Sequence, residues 1–369
     1  MKIANIIITE QAIPYTGNGS WTQRIEYFLT SKQNNIDYFI CGKTNKELNT
    51  TTRFFRVSQY KSRLIQKFFP KYRYKNYINK LHHLSQEHDH LIVCVIDNIK
   101  IKNAIANYID HKNKNKKITV LFYSCGYSYF LEQEAQKKML KHCDEYIFLT
   151  QKSYQFNRDL YAEFIPEVSI LNNPIEKKIV HKISKLEKEL LLEKHGLNGK
   201  TVFLWLSHDR EKKGLEIVLN AWREWSRPRQ DVQLLIVGAK RDYYQKNVQF
   251  LGQINSDSVA EYYQLAHIYL FPTLWKEGFG LSLAQAICSG CYCIAANNGG
   301  VSDFLLKEDG ALIENPNKVL DWIEGMESAF AAIQSGWSNP EAGLQILDYE
   351  QWSSQFAQIF QKWEDRINQ

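Results

Sequence analysis

Glu277, Gly278, Gly280 and Gln285 are the residues whose types and spacing point most directly to chemistry. They lie in the run from Tyr269 to Gly290, where an apolar strand ends at Phe271 and a loop with two glycines follows. An apolar helix then runs from about Leu281 to a glycine stop at Gly290. The start of such a helix offers unpaired N–H groups and the positive end of a dipole to an anion, and glycines let a diphosphate approach the backbone closely. Glu277 stands just outside the helix, where a carboxylate can accept hydrogen bonds from sugar hydroxyls. Gln285 lies eight residues on, one turn inside the helix, a spacing that separates two ends of one ligand. Taken alone, a glycine loop before a helix is as often structural as functional. A second segment, Leu204 to Leu215, repeats the order of strand end, polar basic loop and helix start. In it Arg210 and Lys213 are spaced to clamp a diphosphate and to stabilise negative charge on a leaving group. A sugar nucleotide fits the pair of segments; an exposed charged loop is the plainer reading of the second.

The elements that must position these residues are short apolar runs separated by helical stretches. In the first half they are Ile3–Ile8, Tyr38–Cys41, Leu91–Ile96, Ile118–Tyr123 and Tyr146–Leu149. In the second half they are Thr201–Leu206, Gln233–Val237, Val248–Phe250, Ile268–Phe271, Cys291–Ala295 and Ala311–Ile313. This alternation predicts two α/β units, each around a parallel sheet. The length of 369 residues also exceeds what one hydrophobic core usually organises. The turn signal Asn172-Asn173-Pro174 marks the connection. The predicted boundaries are 1–173, 174–348 and a tail, 349–369, in which Trp352, Phe356, Ile359, Phe360 and Trp363 recur at helical spacing.

Composition narrows the classes further. With 44% hydrophobic and 23% charged residues the chain reads as globular, and the apolar run at Ile6-Ile7-Ile8 is too short for a signal peptide or membrane span, so a cytoplasmic protein is expected. Seven scattered cysteines do not form a disulfide framework. Cys288, Cys291 and Cys293 approach a metal pattern but have no fourth ligand nearby, and they read as buried packing groups, with no metal expected. The net charge of +6 hides an asymmetry: residues 1–172 carry 25 Lys and Arg against 15 Asp and Glu, and the remainder carries 21 against 25. From Leu48 to Gln86 there is no acidic residue, while Lys61, Arg63, Lys67, Lys71 and Arg73 are interleaved with aromatics such as Phe68, Phe69 and Tyr72. That mixture suits an anionic membrane surface. The same composition is compatible with nucleic acid, or with a solvated basic helix whose aromatics pack inward.

Several motifs occur in order along the second half: Lys213-Gly214, Val237-Gly238, Phe250-Leu251-Gly252-Gln253, the run from Tyr269 to Gly290, and Asn298-Gly299-Gly300. In this order they resemble the retaining glycosyltransferases of family 4. The resemblance covers most of residues 200 to 315 and is fainter in the first half, where Gly17-Asn18-Gly19 precedes a helix. It implies a GT-B fold: two Rossmann-like α/β/α domains facing a central cleft, with the C-terminal helix packing back on the N-terminal domain. It implies that Glu277 is the first glutamate of the family's E-x7-E motif and contacts the donor sugar. The backbone of Gly278, Phe279, Gly280 and Leu281 would hold sugar and phosphate, Arg210 and Lys213 the diphosphate, and Phe250 and Gln253 the base. Gly17 and Gly19 would face the donor from the other domain. Three departures stand out. Position 285 is Gln rather than the second glutamate on the ribose. The arginine of the basic pair usually lies further upstream, near Ser207. The loop Leu121 to Tyr127 carries no histidine.

The expectation is therefore a retaining enzyme that transfers a sugar from a nucleotide diphosphate sugar, UDP favoured over GDP, to a hydroxyl of a glycan or lipid-linked acceptor of bacterial surface polysaccharide or lipopolysaccharide. No essential metal or cofactor and no nucleic acid is implied, and the protein is expected at the inner face of the cytoplasmic membrane. Rival readings are an inactive sugar-nucleotide-binding protein and a GT-B-fold epimerase. A Rossmann oxidoreductase is disfavoured, because no complete G-x-G-x-x-G follows the first strand.

Overall fold

The computed structural model describes residues 1–15, 20–58, 73–112, 117–127, 131–242 and 244–369. The chain forms two compact units, one comprising Met1–Pro174 with Tyr349–Gln369 and the other Ile175–Asp348. Each is built on one parallel sheet with helices packed against it.

In the first unit the elements run β1 (Ile3–Ile8), α1 (Ser20–Thr30), β2 (Tyr38–Gly42), β3 (Arg53–Val57), α2 (Lys75–Glu87), β4 (His90–Ile96), α3 (Ile99–Lys112), β5 (Ile118–Tyr123), α4 (Gln133–Leu140), β6 (Glu145–Phe148), α5 (Gln151–Leu160) and β7 (Glu167–Ile170). The strand order is β3-β2-β1-β4-β5-β6-β7. The chain thus winds outward from the centre, returns, and winds the other way, leaving a switch point between β1 and β4. A parallel strand covered on both faces must be apolar along its whole length. The central strands obey this: Ile6, Ile7, Ile8 and Val93 are fully buried.

The edge strands β3 and β7 escaped the sequence reading because they are only half covered and show no continuous apolar run. Strand β3 also corrects part of the picture of the basic aromatic stretch. Phe54 stacks on Phe39 at 5.1 Å and Phe55 on Tyr38 at 5.8 Å, while Tyr74 and Tyr77 are buried. These aromatics pack inward. Lys61, Arg63, Lys67 and Lys71 lie outside the described residues, as do Gly17 and Gly19.

The second unit follows with α6 (Lys185–Lys194), β8 (Thr201–Leu206), α7 (Leu215–Trp225), β9 (Val232–Val237), β10 (Val248–Gly252), α8 (Val259–Leu265), β11 (Ile268–Phe271), α9 (Leu281–Cys288), β12 (Tyr292–Ala296), β13 (Gly310–Ile313) and α10 (Val319–Gln334). Its order, β10-β9-β8-β11-β12-β13, repeats the winding and puts the switch point between β8 and β11. Helix α7 buries Leu215, Val218, Leu219 and Trp222, an i, i+3, i+4, i+7 stripe, against the sheet. Cys288, Cys291 and Cys293 are all buried. Burial pushes the Cys288 and Cys291 thiols up to about 11, so they stay protonated at neutral pH and act as packing groups.

The final helix, α11 (Tyr349–Asn368), belongs to the first unit. Phe356 lies 5.0 Å from the Phe28 ring and 5.8 Å from Tyr123. Beyond this apolar face, Lys362 Nζ reaches the buried Glu145 carboxylate at 2.7 Å, and Arg366 pairs with Glu167. Among the described residues no helix is long and apolar enough to cross a membrane.

Candidate active site

Ligands of doubly wound sheets bind outside the carboxyl ends of the strands at the switch point. In the second unit that point is framed by the loops after β8, β11 and β12, which contain most of the residues singled out from sequence. Their backbones touch. Gly214 adopts φ 69°, and a Cβ there would lie 1.9 Å from the Pro272 carbonyl oxygen. Leu274 N–H donates to Lys212 O at 2.8 Å, so the β8 and β11 loops are stitched directly to one another. Gly299 is constrained in the same way, with φ 77° and a hypothetical Cβ only 2.3 Å from Glu277 O.

Glu277 is held on both sides of its peptide unit. Its N–H donates to Asn298 O at 3.3 Å and its carbonyl accepts from Gly300 N–H at 2.9 Å, a one-residue parallel bridge to the β12 loop. Its carboxylate Oε1 accepts from Thr273 Oγ1 at 2.9 Å and from Lys213 Nζ. The Asn298 amide in turn donates to Thr273 O at 2.8 Å. The Lys213 and Glu277 side chains are 22% and 18% exposed, so the pair is largely removed from water and its charges act through a low dielectric. Glu277 Oε2 has no protein partner among the described residues. Lys213 is fixed at its own carbonyl, which accepts from the Trp205 indole at 3.3 Å.

Beside this pair begins α9. Gly280, at φ 97° and ψ 61°, caps it without a side chain, and Leu283 and Ala284 N–H both donate to Gly280 O at 3.0 and 3.1 Å. The N–H groups of Leu281 and Ser282 are left without an acceptor among the described residues, at the positive end of the helix dipole. Phe279 is 2% exposed and stacks on Phe304 at 4.4 Å, so its ring pins the loop and only its backbone is available to a ligand. Gln285 is half-buried on the same helix face as Leu281, its amide without a protein partner among the described residues.

Arg210 sits on the same β8 loop, exposed and without a side-chain partner among the described residues. Its neighbour Asp209 is occupied by Arg241, whose NH2 lies 3.0 Å from Asp209 Oδ1 and 3.1 Å from Glu216 Oε1. That contact holds the Asp209 carboxyl below its usual range and keeps its charge away from Arg210. Phe250 and Gln253 lie at the end of β10, two strands from β8 and hence about 10 Å from the switch point. Phe250 is half-buried against the core and Gln253 is exposed. Thr273, Asn298 and Arg241 had no role in the sequence reading. Their positions at strand ends were the available signal, but their partners come from three different loops.

In the first unit, of the five basic residues singled out (Lys61, Arg63, Lys67, Lys71 and Arg73), Arg73 is the one within the described residues. Its guanidinium meets Glu10 at 2.6 Å.

Residues 187–332, all within the second unit, match the family described as Glycosyl transferases group 1. The whole chain has the GT-B fold. It resembles HepE of Anabaena, solved in complex with UDP, at a TM-score of 0.74 with 14% identity over 98% of this chain and 100% of that one. Among curated proteins it is 32% identical to a phosphatidyl-myo-inositol mannosyltransferase of Mycobacterium leprae, over 27% of this chain and 29% of that protein. It is 23% identical to a lipopolysaccharide 1,2-N-acetylglucosaminetransferase of Salmonella typhimurium, over 29% and 32%. Each match thus spans less than a third of the curated relative's length.

Proposed function

We propose that this protein is a retaining glycosyltransferase that takes a sugar from a nucleotide diphosphate sugar, UDP-linked in preference to GDP-linked, and delivers it to a hydroxyl of a lipid-linked or glycan acceptor at a bacterial membrane surface. The observation that carries the reading is the desolvated Lys213–Glu277 pair beside the open start of α9. In this reading the diphosphate lies on the Leu281 and Ser282 N–H groups and on Lys213, with Arg210 closing over it. Glu277 Oε2 accepts from hydroxyls of the donor sugar, and Gln285 reaches the ribose. The bond between the anomeric carbon and the β-phosphate oxygen breaks as the acceptor oxygen bonds to the same face of that carbon. The acceptor's proton passes to the departing phosphate, and Lys213 and Arg210 stabilise the charge that develops there. No side chain is needed as general base.

Support for the donor comes from HepE, solved with UDP and with UDP-glucose. Support for a lipid-linked acceptor comes from relatives named for phosphatidyl-myo-inositol and for lipopolysaccharide. The basic stretch around Lys61, Arg63, Lys67 and Lys71 would carry the protein to an anionic surface; reversing these four charges is expected to abolish binding to anionic liposomes, and unchanged binding refutes that part.

Incubation with a panel of UDP- and GDP-sugars tests the activity. Slow release of nucleoside diphosphate from one donor, suppressed in Glu277→Gln, is the expected result. A protein that binds a nucleotide but releases none from any donor is a binding protein and not a transferase.

A further inference from the structure

A second cluster of polar and charged groups occupies the switch point of the first sheet, and the donor chemistry does not use it. Glu10 follows β1, Asp97 and Asn98 follow β4, the first turns of α3 bring Lys100 and Asn103, and α4 brings Lys138. With Arg73 they line a cavity of about 540 Å³.

Not all of these charges are available to a ligand. Glu10 is occupied by three donors: Arg73 on Oε1 at 2.6 Å, and the Tyr74 hydroxyl, at 3.2 Å, and Asn98 amide on Oε2. It serves to neutralise and orient Arg73. Lys100 and Lys138, by contrast, have no carboxylate partner among the described residues. Asn103 Oδ1 and Arg73 Nε are shielded from solvent with no hydrogen-bond partner among the described residues, which is unusual for buried polar atoms. Asp97 holds a left-handed backbone at φ 49°, and its Oδ1 accepts from Cys125 N–H at 3.0 Å. Such conformations in residues other than glycine gather at functional sites. The 14-residue α3 starts at this cavity with Asn98 Oδ1 accepting from Ile101 N–H at 3.0 Å, so its dipole adds to the positive side. Once Arg73 and Glu10 cancel, two free ammonium groups and a helix start face one carboxylate.

We infer that this cavity binds a phosphorylated polyol, with Lys100, Lys138 and the start of α3 on the phosphate and Asn103 and Asp97 on hydroxyls. This rests on the reading of the chain as a glycosyltransferase and deepens it: the acceptor carries its phosphate into the first unit. The phosphate is either that of a soluble sugar phosphate or that of a lipid headgroup.

The test titrates the full chain with glucose 1-phosphate and with glucose by calorimetry, and floats it with phosphatidylcholine vesicles with and without phosphatidylinositol. Each is repeated with Lys100→Gln/Lys138→Gln, whose substituted side chains are exposed and leave the fold intact by circular dichroism. Saturable binding of glucose 1-phosphate but not of glucose, weakened roughly tenfold or more in the variant, supports a soluble ligand. Flotation with phosphatidylinositol that the variant loses, without glucose 1-phosphate binding, supports a headgroup. Binding that the variant leaves unchanged, or no binding in either arm, overturns the inference. A UDP titration of the same preparation separates the failures: if UDP binds, only the phosphate site is refuted, and if it does not, the glycosyltransferase reading falls as well.

Discussion

In the proposed function Glu277 and Lys213 are the two side chains on which the donor chemistry turns, and their contacts set what substitution will do. Glu277→Gln keeps the volume and an acceptor for Thr273 but removes the charge that holds Lys213. Loss of one such preorganised electrostatic contact typically costs 10²–10³ in kcat, so donor turnover by the variant is expected to fall by roughly 10²-fold. Because the contact acts mainly on the sugar, the nucleotide's dissociation constant should change far less. Both residues were legible from sequence, since a carboxylate outside a glycine-capped helix and a lysine before a glycine are visible as spacings. Thr273 and Asn298 were not. Asn298 acts on the Thr273 carbonyl of another loop, and Thr273 acts on Glu277 through the way their shared loop folds back, and no local pattern in the sequence records either contact. Arg210 lies on the predicted loop, exposed.

At the scale of elements, the site is a meeting of loop backbones, and the glycines there are fixed by clearance as well as by φ. Gly299 and Gly252 make the comparison. Both have positive φ, 77° and 65°, but a Cβ at Gly299 would collide with Glu277 O whereas one at Gly252 meets nothing within 4 Å. Gly252→Ala should therefore cost only the left-handed strain, about 1–2 kcal/mol. Gly299→Ala adds overpacking of about 1–3 kcal/mol and displaces Glu277. Chemical denaturation would rank the two variants, and donor turnover should fail only in Gly299→Ala. Equal losses for both would mean that the bridge between the loops does not position Glu277. Central strands such as β4 and β8 could be read from sequence because burial on both faces demands an unbroken apolar run. The edges β3 and β7 could not, since a half-covered strand tolerates Arg53, Arg56 and Glu167. For β3, that tolerance hid a strand inside what looked like a uniform basic stretch.

At the scale of the whole molecule, the two sheets form separate cores, and acid should act on them unequally. In the second unit, burial and, secondarily, the nearby Lys188 push the His267 imidazole down to about 3, while its Nδ1 accepts from Val202 N–H at 3.1 Å. The unfolded chain holds this histidine near 6.5. Between those values the unfolded state binds more protons, so the stabilisation is complete above about pH 6.5 and is lost as pH falls toward 3. Allowing for its partial exposure, going from pH 7 to pH 5 should cost the second unit about 1–2 kcal/mol. His267→Gln, which keeps an acceptor for Val202 N–H without titrating, should flatten that dependence in urea unfolding followed at the second unit's tryptophans. An unchanged slope would assign the acid sensitivity to another group. The alternation of strand and helix around a parallel sheet in each unit was legible in the sequence; the strand order, which sets the switch points, was not. The donor claim itself rests on where a nucleotide sits, and a crystal structure of the protein soaked with UDP tests it most directly. The account predicts the β-phosphate within hydrogen-bonding distance of the Leu281 N–H and Lys213 Nζ; UDP bound elsewhere, or absent from this site at millimolar concentration, would contradict it.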